Sequence, residues 1–67
     1  VITVSINGES RQIPANSTVA TLIDQLGQTG KRVALERNGE IVARSAFATQ
    51  PLSEGDRLEI VVAVGGG

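Results

Sequence analysis

Ile2, Val4 and Ile6 alternate with Thr3 and Ser5 at the start of the chain. That period of two turns one face of a strand inward, so Val1 to Ile6 is predicted as a strand with one buried face. Asn7-Gly8 follows directly. Both residue types tolerate the positive φ that a two-residue hairpin turn requires, and Glu9 to Ile13 returns as the antiparallel partner. Pro14 has no backbone N–H to offer a ladder, which ends the strand or confines it to an edge.

The pattern then changes period. In NSTVATLIDQLG, Val19, Leu22, Ile23 and Leu26 fall at i, i+3, i+4 and i+7, the spacing that gathers one face of a helix. Ser17 or Thr18 is the expected N-cap, since a hydroxyl there accepts a bond from a first-turn N–H, and Gly27 is the expected stop. About ten helical residues are unstable alone in water, so this helix needs a sheet to lie across. VALER and EIVAR flank Asn38-Gly39 as a second hairpin. Arg44 to Pro51 shows neither period and is expected to be irregular or a short helical turn, with Phe47 plugging the core. Glu54-Gly55-Asp56 reads as a turn with a solvated charged face. Arg57 to Val64 is the longest strand, with Leu58, Ile60, Val62 and Val64 on one face and Arg57, Glu59, Val61 and Ala63 on the other.

The order is strand, strand, helix, strand, short strand, strand. One helix on one face of a mixed sheet of four to five strands is the economical layout for it. If the first and last strands are neighbours they run parallel, because the intervening helix supplies the crossover. This is the α+β arrangement of the ubiquitin-like β-grasp fold. The predicted organisation is a β-grasp domain over residues 1–64 and a flexible glycine tail over 65–67.

Composition narrows the chemistry. With 67 residues there is one domain at most, and a chain this small buries only about 60% of the surface it exposes unfolded. Nearly every large apolar side chain must serve the core. The chain contains no Cys, His, Met, Trp or Tyr, which removes thiol nucleophiles, imidazole bases, disulfides and soft metal ligands together. Its carboxylates fall in turns or alternate outward, forming no acid/base pair, and its serines have no histidine to activate them. The glycines form neither a GxGxxG nor a Walker pattern. These absences argue against an enzyme, against a metal site and against a cofactor bound by this chain.

Charge and hydropathy bound the partners. Six basic and seven acidic residues give a net charge of −1 and are dispersed, so there is no polybasic footprint for nucleic acid. Arg11, Lys31, Arg32, Arg37, Arg44 and Arg57 read as solvated surface charge. No apolar run approaches the roughly 20 residues that span a bilayer, and no signal peptide opens the sequence. The expectation is a soluble cytoplasmic protein without membrane or nucleic-acid partners.

The remaining candidate is Gly65-Gly66-Gly67. Glycine is about 7% of ordinary sequence, so three in a row at one chosen place arise by chance about 3 times in 10,000. Glycine has no Cβ, and a tail of it enters a channel that rejects side chains. Its only reactive group is the Gly67 α-carboxylate, with an extended reach of about 11 Å beyond Val64.

This β-grasp pattern, the RNGEIVAR hairpin, the LSEGDRLEIV turn and strand, and the terminal VGGG together resemble the ThiS family of sulfur carriers in thiamin biosynthesis. The resemblance spans nearly the whole chain, and its most specific part is Gly66-Gly67 after a hydrophobic strand. It implies a carrier, monomeric when free, whose Gly67 carboxylate is adenylated by a ubiquitin-activating-type adenylyltransferase that brings ATP and Mg. A cysteine-persulfide donor then supplies sulfur, leaving a thiocarboxylate that thiazole synthase consumes. Val61 and Ala63, beside the tail on the face opposite the core, would be the partner-docking residues. Two alternatives share the fold and the glycine end: a carrier like the small subunit of molybdopterin synthase, and a ubiquitin-like modifier or structural interaction module.

Overall fold

Asn7 and Gly8 adopt φ of 52° and 87°, and Asn38 and Gly39 adopt 54° and 86°. Both central residues of each turn are thus left-handed, matching the twist that a two-residue hairpin imposes on its strands. The computed structural model describes residues 1–63, and in it these turns close β1 (Ile2–Ile6) on β2 (Glu9–Ile13) and β3 (Val33–Arg37) on β4 (Glu40–Val42). The fourth strand is shorter than EIVAR suggests. Ala43 leaves it and caps a 3₁₀ turn over Arg44–Ala46, the short helical turn anticipated for this stretch.

The helix α1 (Val19–Gln25) starts at Thr18, the second of the two expected caps. Thr18 Oγ1 accepts from the Thr21 N–H at 3.3 Å, and Thr21 Oγ1 accepts from the Thr18 N–H at 2.8 Å. This capping box satisfies two first-turn donors that a seven-residue helix cannot pair internally. Ser17, the other candidate, is buried at 3% exposure and its hydroxyl has no hydrogen-bond partner.

The sheet has the order β2-β1-β5-β3-β4, with β5 (Arg57–Val62) at its centre. β1 and β5 run parallel in the register Ser5↔Arg57 and Ile6↔Leu58, and β5 pairs antiparallel with β3 from Val33↔Val62 to Arg37↔Leu58. Five strands and a crossover helix realise the expected β-grasp layout. The core gathers Val4, Ile13, Val19, Leu22, Ile23, Leu35, Leu52 and Leu58, so four of the five strands and the helix each give at least one side chain. Each such burial is worth about 1.5–3 kcal/mol. Phe47 packs only partly into this cluster, leaving part of its ring at the surface instead of sealing the interior.

The turn before β5 departs from its sequence reading. Glu54 is exposed and accepts from the Thr3 N–H at 2.9 Å, but Asp56 is 5% exposed. Its carboxylate accepts from Arg37 Nε at 2.8 Å, Asn38 Nδ2 at 3.1 Å and the Ser53 N–H at 2.8 Å. Asp56 is therefore an anchor that fastens the second hairpin to the root of β5. Burial pushes its carboxyl upward, yet the three hydrogen bonds and the Arg37 charge together outweigh that and hold it below its ordinary value.

Candidate functional site

β5 lies between β1 and β3, so the chain leaves the sheet from its middle rather than from an edge. Among the described residues, the last hydrogen bond along this exit is from the Ala63 N–H to the Arg32 carbonyl at 2.8 Å. Gly65, Gly66 and Gly67, the tail and reactive end expected from the sequence, lie outside the described residues, as does Val64.

Val61 points away from the helix-covered face and is 65% exposed. Its cross-strand neighbour is Ala34, which is exposed, as is Ala63. These three small apolar side chains sit together where the strand ends, so no helix or loop covers the two residues read as docking candidates. Val33, Arg32 and Arg44 complete the lining of an open concavity of about 350 Å³ there. Ala34 is the member that sequence reading passed over. Its outward position between Val33 and Leu35 in VALER was visible, but its meaning depends on the register that sets it opposite Val61.

Further along the same face, Glu36 lies directly across from Glu59. Like charges so placed destabilise a strand pair. Beyond them Ile41, opposite Glu36 in the β3–β4 register, is 69% exposed. The open face therefore runs from an apolar patch at the chain exit through an acidic middle to a lone isoleucine on the edge strand.

The basic residues are less scattered than their spacing suggests. Arg37 is committed to Asp56, whereas Lys31, Arg32 and Arg44 converge where β5 ends. Arg44 borders two concavities, one shared with Arg32 and the other with Lys31, and its Nη2 donates to the Lys31 carbonyl at 3.3 Å. Among the described residues, no three of His, Cys, Asp and Glu gather closely enough to hold a metal ion, and no helix is long and apolar enough to cross a membrane.

A central strand running parallel to the first, a crossover helix and an exit from mid-sheet define a ubiquitin-like β-grasp domain. A profile of the ThiS family matches residues 4–67, and the chain belongs to that family. It is 31% identical over 64 residues to the sulfur carrier protein ThiS of Escherichia coli, covering 96% of this chain and 97% of that one. The crystal structure of a ThiS thiamine biosynthesis protein from Geobacter metallireducens superposes with a TM-score of 0.82 at 28% identity, covering 98% of this chain and all of that one. A thiazole synthase of Paramagnetospirillum magneticum is 48% identical over 62 residues, or 92% of this chain. The match spans only 19% of that protein's length.

Proposed function

We propose that this chain is a sulfur carrier for thiazole formation in thiamin biosynthesis. The reacting group is the Gly67 α-carboxylate where Gly67 is the free end. A free carboxylate is a poor electrophile. A ubiquitin-activating-type adenylyltransferase transfers AMP from ATP to it, with Mg held by that enzyme, and pyrophosphate leaves. Sulfur from a cysteine-persulfide donor then displaces AMP, and reductive cleavage of the resulting acyl disulfide by a thiol leaves the thiocarboxylate. Thiazole synthase takes the sulfur from there. The carrier contributes position and fit while its partners contribute the chemistry, so it acts as a co-substrate.

The observation that carries this reading is the family match running through Gly67, together with near full-length similarity to a protein named as a sulfur carrier. Similarity to a segment within a protein named thiazole synthase supports the choice of acceptor. Placing carrier and acceptor on one polypeptide raises the effective concentration of each for the other. The exposed Val61, Ala34 and Ala63 supply the apolar surface on which the adenylyltransferase docks, next to the point from which the tail departs. The same reading places the chain in the cytoplasm with these partners, and as a monomer between encounters.

Intact-mass spectrometry tests the proposal. Incubation with an active adenylyltransferase of this family, ATP, Mg, a persulfide donor and a thiol reductant should raise the mass by the difference between sulfur and oxygen. Addition of iodoacetamide should then alkylate the new terminus. A mass that stays constant while the enzyme modifies a control carrier would refute it. Appearance of Gly67 in amide linkage to lysine side chains of other proteins would favour the modifier reading instead.

A further inference from the structure

On the helix side of the chain exit lies a second concavity, of about 320 Å³, between α1, the loop that follows it and the 3₁₀ turn. Ala20, Ile23, Val33 and Phe47 form its apolar wall, and Lys31 and Arg44 stand at its rim. Phe47 is the chain's only aromatic residue, and here it is half-buried beside an open space. Both rim residues are exposed. Among the described residues the one ion pair is Arg37 with Asp56, so neither rim cation is neutralised. Asp24 is nearby in sequence, but its Oδ1 accepts from Thr29 Oγ1 at 2.7 Å. Arg44 Nη2 donates to the Lys31 carbonyl at 3.3 Å, which links the 3₁₀ turn to the loop after α1.

An apolar wall beneath unneutralised cations selects one kind of occupant. A bare anion gains little over water at exposed cations, and a purely apolar group leaves the charges unused. We propose that this pocket docks a segment of a partner protein that inserts an aromatic or large aliphatic side chain against Phe47 and sets carboxylates on Lys31 and Arg44. Charge complementarity then supplies orientation and encounter rate, and the apolar contact supplies the residence time. The site adjoins the concavity that carries Val61, sharing Val33 and Arg44 with it, but its wall of Ala20, Ile23 and Phe47 is its own, and it does not depend on the sulfur-carrier reading.

The test uses the whole chain and a defined probe. Acetyl-Asp-Phe-Asp-amide titrated into ¹⁵N-labelled protein should shift the amides of residues 28–31, Val33 and Phe47, and raising the salt should weaken the effect. The double variant Lys31→Glu, Arg44→Glu should lower the affinity by about tenfold or more. Ala20→Leu, which fills part of the wall and leaves the charges intact, should also weaken binding while its spectrum remains that of a folded protein. Acetyl-Lys-Phe-Lys-amide and acetyl-Asp-Ser-Asp-amide should produce no comparable shifts. Shifts at Ala34 and Val61 in place of the pocket, equal binding of the serine peptide, or no shift at all would overturn the proposal. Binding of 3-phenylpropionate as tight as that of the peptide would also overturn it, making the pocket a small-carboxylate site.

Discussion

Two asparagines do more than turn the chain. Asn7 Oδ1 accepts from the Ile60 N–H at 2.8 Å and its Nδ2 donates to the Ile60 carbonyl at 3.1 Å, so the amide pairs with β5 as a strand residue would after the backbone has turned away. Asn38 Oδ1 accepts from the Arg57 N–H at 2.8 Å. Asn7→Gly keeps the positive φ and removes both side-chain bonds. It should lower the unfolding free energy by about 1–2 kcal/mol, read from urea melts. Asn7→Ala adds the left-handed strain and should cost about 1 kcal/mol more, so equal losses would place all of the effect in the bonds. Asp56 gives a pH-dependent counterpart. Its carboxyl is held below the ordinary 3.8 in the folded protein, so the unfolded chain takes up the proton first as pH falls. The stabilisation is complete above the unfolded value and disappears as pH drops through the folded one. Stability curves should therefore steepen on the acid side, and Asp56→Asn should flatten that limb. An acid limb unchanged in this variant would assign the dependence to other carboxylates.

At the scale of elements, α1 has only seven residues, too few to persist without capping and packing. Loss of the Thr18 hydroxyl in Thr18→Ala should destabilise the protein by about 1 kcal/mol, and Thr21→Ala should cost a similar amount. Because the two hydroxyls act as one reciprocal box, the double variant should lose less than the sum, and strict additivity would show two independent bonds. β1, β5 and this helix were legible because their periods of 2 and 3.6 are local properties of the chain, and β2, β3 and β4 because the Asn-Gly pairs mark the turns beside them. The roles of Asn7 and Asp56 were not. Asn7 meets Ile60 across a separation of 53 residues, and Asp56 is buried only because the second hairpin folds Arg37 and Asn38 onto it. β4 ended early for a similar reason: Ala43 extends the apolar run of Ile41 and Val42, but the chain there turns to place Phe47 beside α1, where its carbonyl accepts from the Ala20 N–H. Val61 and Ala63 were legible as an outward pair from alternation alone. Ala34 and the gathering of Lys31, Arg32 and Arg44 follow from register and loop closure, which spacing along one strand does not encode.

For the whole molecule, a net charge of −1 conceals an uneven arrangement. Three of the six cations stand at the end where β5 leaves the sheet, and Glu36 and Glu59 lie behind them on the open face. The apolar patch of Val61, Ala34 and Ala63 sits between these regions. On the docking proposed above, a partner that takes hold of the tail would meet this patch next, and the patch's energetic value would depend on excluding water there. Val61→Asp tests that dependence with little interference from folding, because Val61 is 65% exposed and its side chain is outside the core. A strand propensity cost of at most about 1 kcal/mol is expected in urea melts. In the adenylation reaction, a carboxylate placed at a drying interface should lower kcat/KM by about tenfold or more, mostly through KM. Val61→Thr keeps the β-branched shape that suits a strand and adds only a hydroxyl, so it should fall between the two. If Val61→Asp is folded and adenylated at the normal kcat/KM, docking does not use this end of the open face, and the tail reaches its enzyme by some other approach.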